Sequence, residues 1–244
     1  MGAPASGAEA GGLSDVEDLH RELARIGFDA GADLGLVLAG GYAISAHQLT
    51  TRPSRDIDFA TAAMMPLPQV VGRLAEAYRR RGYLVQIIES GARMARMMVT
   101  GGEHACEVDL LREPIGPPVL LDVGPVLLLD DAVGLKMRAL HDRALHRDFI
   151  DVYAAYRAGY SWQRMEILGS RFLPAFRLDD LAERLSSIEL RDEETFLAYG
   201  MAPTDIEALA GWALRWADDI GVRLEGSPEP SPGSEPDWDT YLEE

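Results

Sequence analysis

Apolar positions along the chain recur with two periods, and together they sketch an alternating order of helices and strands. Val16, Leu19, Leu23 and Ile26 repeat at helical spacing behind Ser14-Asp15-Val16-Glu17, a capping-box sequence, and predict an amphipathic helix over 15–28. The short apolar run 36–39 predicts a buried strand that ends at Gly40-Gly41, with a helix over 42–49 behind it. A second strand is expected over 57–61. Val70, Val71, Leu74, Ala75 and Tyr78 share one helical face while Arg73, Arg79, Arg80 and Arg81 lie elsewhere, the pattern of a helix over 66–82 packed on a sheet. Strands over 83–88, 95–100 and 105–111 follow, the last two joined by Gly101-Gly102-Glu103-His104 as a hairpin.

Strand, helix, strand, helix and meander argue for an α/β or α+β sheet covered by helices. Pro114, Gly116, Pro117, Pro118 and Pro125 interrupt the pattern. Beyond them, segments 131–160, 178–185 and 204–220 are helical by spacing, the last opened by a second capping box, Thr204-Asp205-Ile206-Glu207. The expected organisation is a disordered lead over 1–13, a core over 14–113, a helical C-terminal subdomain over 114–222 that completes a cleft, and an acidic disordered tail over 223–244. Trp212 and Trp216, four residues apart with Leu209 and Ile220 on the same face, read as packing rather than a base-stacking platform.

Composition narrows the function. The formal net charge is −17, which repels phosphate backbones over most of the surface and excludes a role coating nucleic acid. A local basic patch can still hold a nucleotide or an RNA end. No apolar run reaches the roughly 18 residues of a membrane span. Met1 to Gly12 has neither basic residues nor a long apolar stretch, so no signal peptide, no membrane partner and a cytoplasmic location are expected. Cys106 has no second cysteine to pair with, and no His–Cys spacing suggests zinc. The basic residues are 22 Arg and one Lys, Lys136, which marks that lysine as one held by chemistry.

The densest chemical signal is Gly40-Gly41-Tyr42-Ala43 followed by Arg52-Pro53-Ser54-Arg55-Asp56-Ile57-Asp58-Phe59. Alternation along a strand brings Asp56 and Asp58 out on one face, about 7 Å apart. Paired carboxylates there suit Mg²⁺ and phosphoryl transfer on two metal ions, and the glycine turn offers backbone N–H donors to phosphate. On a later strand Glu107 and Asp109 share a face. Asp109 is the expected third carboxylate, as metal ligand and general base, and Glu107 suits a solvated position. Arg52, Ser54 and Arg55 either orient Asp56, meet phosphate, or are simply solvated.

These residues in this order resemble the polymerase-β-type nucleotidyltransferase superfamily. With Lys136 and Arg147-Asp148-Phe149-Ile150-Asp151 added, the chain is similar to the AbiEii/MenT nucleotidyltransferase toxins over about residues 34–160. The resemblance implies an α+β, polymerase-β-like mixed sheet with flanking helices and a helical C-terminal subdomain. It also implies a nucleoside triphosphate substrate, a two-ion Mg²⁺ site on Asp56, Asp58 and Asp109, RNA or the tRNA acceptor end as recipient, and a cognate antitoxin.

Under the resemblance Gly40, Gly41, Ser54, Arg55, Lys136 and Arg143 bind nucleotide, and Asp56, Asp58, Asp109, Lys136 and Asp148 are catalytic. On an unbroken helix Arg143 and Arg147 fall within about 20° of Lys136 and form a basic stripe. Asp148 has a second reading, as the cap of a helix over 149–157 paired with Arg143 or Arg147. Two other functions stay open. An antibiotic nucleotidyltransferase would suit the negative chain through a polycationic drug, and an inactive binding protein of the same fold would need no turnover.

Overall fold

The structure, a computed structural model, describes residues 8–226, with side chains described from residue 18 onward. The expected tail beyond residue 226 and the first seven residues of the expected lead lie outside the described residues. Seven strands form one mixed sheet: β1 (Val37–Leu38), β2 (Asp56–Thr61), β3 (Leu84–Ser90), β4 (Met94–Gly101), β5 (His104–Arg112), β6 (Val119–Leu121) and β7 (Gly124–Val126). Their order is β3-β4-β5-β2-β1-β7-β6. The meander β3-β4-β5 is antiparallel, whereas β2 runs parallel to β5 and β7 parallel to β1.

Alternation in β2 sorts the strand's two faces. Ile57 and Phe59 are fully buried, which turns Asp56 and Asp58 to the opposite side. The buried face packs on α1 (Ala8–Gly31) and α3 (Leu67–Arg80), where the Tyr78 hydroxyl donates to the Leu23 carbonyl at 3.1 Å. The apolar stripe of α3 is the expected one, with Leu67, Val70, Val71, Leu74, Ala75 and Tyr78 buried.

The helices α4 (Leu129–Asp142), α5 (His146–Arg157), α6 (Trp162–Ser170), α7 (Leu178–Ser186), α8 (Glu193–Ala198) and α9 (Pro203–Glu225) enclose a second apolar cluster. Stacked and tilted aromatics dominate it, with ring centroids of Tyr153 and Trp212 5.1 Å apart and those of Trp212 and Trp216 5.3 Å apart. The short helix α2 (Gly40–Ala46) sits between sheet and helices.

Several sequence expectations need correction. Helix α1 begins at Ala8, inside the expected lead, so Ser14 falls within the helix and not at its start. Helix α9 opens on Pro203 after Ala202 with no side-chain cap, so Thr204 is not a cap, and it runs through residues 223–225 of the expected tail. The Pro-rich break holds β6 and β7, which return to the sheet. The single helix expected over 131–160 is two, α4 and α5, broken at Arg143–Leu145 where Ala144 adopts φ 47°. Helices α6 and α8 have patterns too short or too polar to announce themselves.

The aromatic cluster generates a stability test. Trp212 is 1% exposed, and its truncation to alanine leaves a cavity that the neighbouring rings cannot fill. We expect Trp212→Ala to cost about 3–5 kcal/mol in denaturant unfolding. Leu190→Ala, at a side chain 87% exposed, should leave the midpoint unchanged.

Candidate active site

Strand β1 ends one residue before the glycine pair, and the Ala39 N–H donates to the Asp58 carbonyl at 2.8 Å, tying the turn to β2. Gly40 has φ 57°, and a Cβ there would lie 1.7 Å from Asp58 Oδ2, so no residue with a side chain fits without moving that carboxylate. A Cβ on Gly41 would press on Ser54 Oγ at 2.6 Å. The two glycines thus let the turn pass directly against the Asp56–Asp58 edge.

That edge forms one wall of a cavity of about 190 Å³. Asp56, Asp58 and Asp109 line it together with Gly40, Gly41, Arg52, Arg96, Lys136, Arg138, Asp142, Arg143 and Arg147. Parallel register puts Asp58 beside Asp109. Six cationic side chains thus share the lining with four carboxylates, and four of the six are paired from behind by Asp148, Asp151 and Glu113.

The three strand carboxylates differ in what holds them. Asp56 accepts from Ser54 Oγ at 3.1 Å and from Arg147 Nη1 at 3.0 Å. Asp109 is gripped by Arg96, whose Nε and Nη2 donate to its two oxygens at 2.8 and 2.7 Å. Among the described residues no side chain donates a hydrogen bond to the Asp58 carboxylate. Burial, and next the negative charge of Asp56, push its pKa up to about 6 against the opposing pull of Lys136.

Behind the cavity lies a buried ion cluster. Asp151 on α5 is fully buried and accepts from Arg52 Nε and Nη2 at 2.7 and 2.6 Å and from Lys136 Nζ at 2.8 Å. Burial opposes the Asp151 charge, but Lys136 and Arg52 outweigh it and hold the carboxyl below its ordinary range. Lys136 is 8% exposed, so it is no solvated helical lysine.

Asp148 does not line the cavity. It is fully buried, accepts from Arg143 Nε at 3.0 Å and from the Leu145 N–H at 3.1 Å, and so anchors Arg143 and the start of α5. Ser54 and Arg55 also lie outside the lining. Arg55 is exposed, with its guanidinium 5.6 Å from the centre of the Tyr199 ring.

Arg143 and Arg147 do meet Lys136 at the cavity, through the chain reversal at Ala144 rather than as a stripe on one helix. Sequence reasoning missed Arg96, Arg138, Asp142 and the role of Asp151. For Arg96 a signal existed: counting back from the Gly102-Glu103 turn pairs it with Asp109. Asp151 gave none, since its partners Arg52 and Lys136 are 99 and 15 positions away.

The residues fit a divalent cation in part. Asp58 presents an open carboxylate, and Asp56 beside it is held by one guanidinium and a hydroxyl, an oxygen set that hard cations favour. Asp109 has both oxygens engaged. Among the described residues no group of three or more His, Cys, Asp or Glu side chains is arranged to hold a metal ion.

The ion cluster yields a prediction. Asp151→Asn keeps the shape but leaves Arg52 and Lys136 buried without a counter-charge, at a cost of about 3–5 kcal/mol. Because the native Asp151 pKa lies below the unfolded value of roughly 3.9, its stabilisation is present above that value and is lost as pH falls through the native one. The melting-temperature gap between wild type and Asp151→Asn should therefore be full at pH 7 and narrow on acidification below pH about 4.

Comparison with known proteins bears on the fold and the family. Two solved structures share the fold. JHP933 from Helicobacter pylori is 18% identical, with a TM-score of 0.51 over 84% of this chain and 92% of that one. MenT4, a nucleotidyltransferase toxin from Mycobacterium tuberculosis H37Rv, is 18% identical, with a TM-score of 0.55 over 82% of this chain and 83% of that one. No curated protein matches the sequence significantly. Among the described residues no helix is long and apolar enough to cross a membrane. The family model for the nucleotidyl transferase AbiEii toxin of type IV toxin–antitoxin systems matches residues 21–244, and the chain therefore belongs to the AbiEii nucleotidyltransferase toxin family.

Proposed function

We propose that this nucleotidyltransferase moves a nucleoside monophosphate from a nucleoside triphosphate to a hydroxyl of an RNA acceptor such as a tRNA end, with Mg²⁺, as the toxin of a toxin–antitoxin pair. The observation that carries the reading is the convergence of six cationic side chains and the Gly40-Gly41 turn on the Asp56–Asp58 edge. Six cations gathered into one cavity of a chain with −17 overall suit a polyanionic ligand there. The same ring of cations disfavours a polycationic antibiotic as acceptor. Intact Asp56, Asp58 and Lys136 disfavour an inactive binding protein.

In the reaction, the acceptor oxygen forms a bond to the α-phosphorus, the bond from that phosphorus to the pyrophosphate oxygen breaks, and the hydroxyl proton passes to a cavity carboxylate or water. Catalysis of this kind is mostly positioning and charge stabilisation. Asp56 and Asp58 would hold Mg²⁺, which neutralises charge on the phosphates when bound.

Ser54 orients Asp56 through its hydroxyl, and Gly40 leaves the space that Asp58 occupies. Lys136, pinned by Asp151, faces the triphosphate, with Arg143 set in place by Asp148 and Arg147 beside it. Gly40 and Gly41 seat phosphate oxygens along their backbone. Arg55, outside the cavity, meets the acceptor or the nucleotide at its rim.

The direct experiment is incorporation of labelled nucleotide into RNA, set against modification of an aminoglycoside; label in the drug and none in RNA would reverse the assignment. Asp58→Asn should lower transfer on the order of 10²–10³-fold while the protein stays folded. The raised Asp58 pKa adds a sign to its stability. Without metal, a carboxyl with a native pKa of about 6 and an unfolded value of roughly 3.9 destabilises the fold increasingly from pH 4 to 6 and constantly above. Asp58→Asn in EDTA should therefore melt higher than wild type at pH 8 and equally at pH 4. Parental activity in this variant would sink the metal assignment.

Lys136→Arg tests the phosphate role. The larger planar guanidinium cannot keep both the Asp151 contact and the ammonium's position, and a misplacement of about 1 Å costs on the order of a hundredfold in rate. We expect a folded protein with transfer reduced on that order and nucleotide affinity weakened. Wild-type kinetics would return Lys136 to a packing role.

A further inference from the structure

Arg96 has no free nitrogen. Its Nε and Nη2 donate to the two oxygens of Asp109 at 2.8 and 2.7 Å, and its Nη1 lies 3.2 Å from Glu107 Oε1. The pairing is built into the sheet, because Arg96 on β4 is the direct cross-strand partner of Asp109 on β5. A guanidinium matched to a carboxylate through two parallel hydrogen bonds is among the strongest polar pairs a protein makes. Here the carboxylate is also 92% removed from solvent, with its side chain 8% exposed.

The contrast with the other two carboxylates is sharp. Asp58 accepts no side-chain hydrogen bond from the described residues, and Asp56 gives one oxygen to the neutral Ser54 hydroxyl and the other to a single Arg147 nitrogen. A divalent ion at Asp56 and Asp58 has to displace one guanidinium contact. An ion that used Asp109 would have to displace the paired guanidinium contacts on that carboxylate and then leave Arg96, still held by Glu107, in the same cavity, a cation beside a cation.

We propose that Arg96 is a resident cation of the active site, which keeps Asp109 out of metal coordination so that the site takes a single divalent ion on Asp56 and Asp58. Arg96 then neutralises the Asp109 wall of the cavity, where the sequence pattern points to a second ion. Asp109 becomes the residue that positions Arg96. This rests on the proposed reading of the cavity as a metal-dependent transfer site and changes its ion count and the role of its third carboxylate.

The test counts ions without any turnover. Full-length protein is titrated with Mn²⁺ alone, and bound ion is measured by electron paramagnetic resonance and by calorimetry. Wild type should bind one Mn²⁺. Asp109→Asn should leave that affinity within about twofold, whereas Asp58→Asn should weaken it at least about tenfold. Arg96→Ala, which exposes Asp109 and Glu107, should gain a second Mn²⁺, and Arg96→Lys, which keeps the cation, should not.

Two ions in wild type, or an equal loss of affinity in Asp109→Asn and Asp58→Asn, overturns the proposal and leaves the metal-dependent reading standing. No bound Mn²⁺ in wild type overturns both. The wild-type count and the Asp109→Asn affinity decide the matter even if Arg96→Ala does not fold.

Discussion

A single fully buried carboxylate, Asp151, holds two cations from distant parts of the chain, and the cavity beside Asp56 and Asp58 is arranged around that cluster. Arg52 comes from the loop that feeds β2, Lys136 from α4 and Asp151 itself from α5. The cluster thus fastens the helices to the loop that leads into Asp56 and Asp58 on β2. Removing three charges from water is expensive and contributes little net stability, so its value lies in position. One anion against two cations also leaves a net positive charge, and both Arg52 and Lys136 line the cavity. The helices are fastened and the cavity is charged by one and the same set of contacts.

Positive charge at this site is everywhere delivered by pairing. Arg143 rests on Asp148, Arg147 on Asp56, Arg96 on Asp109 and Arg138 on Glu113. Each pairing orients a guanidinium toward a cavity that would otherwise be a cluster of four Asp carboxylates. This reconciles an acidic protein with a polyanionic substrate: long-range repulsion is a property of the whole surface, whereas binding is decided within a few ångströms in a partly desolvated cavity.

The break between α4 and α5 shows how backbone geometry sets side-chain chemistry. Ala144 takes up a left-handed φ of 47°, a conformation that costs a residue with a Cβ energy and that the surroundings must hold. The buried Asp148, bonded to Arg143 and to the Leu145 N–H, does this holding. The reversal aims both Arg143 and Arg147 into the cavity, which a continuous helix would have achieved only along a single stripe.

The sequence alone determined the elements with strong periodicity and the chemistry carried by neighbours. Strand β2 with its Asp-x-Asp face, helix α3 and the β4-β5 hairpin are where apolar spacing places them, because period two and period 3.6 are local properties of burial on one face. The Gly40-Gly41 turn and the uniqueness of Lys136 were likewise legible, and so was the family resemblance they carry. Strands β6 and β7 were not: three residues each, inside a Pro-rich segment, they exist only because β1 offers an edge to pair with. The tertiary structure alone decided the partners of the charges. Asp148 faces Arg143 instead of the cavity, Asp151 joins Arg52 across 99 positions, and Asp109 is held by Arg96. Spacing tells which face of a strand or helix a carboxylate leaves, but which cation waits there depends on how separate elements pack, and that is a long-range property no local pattern encodes.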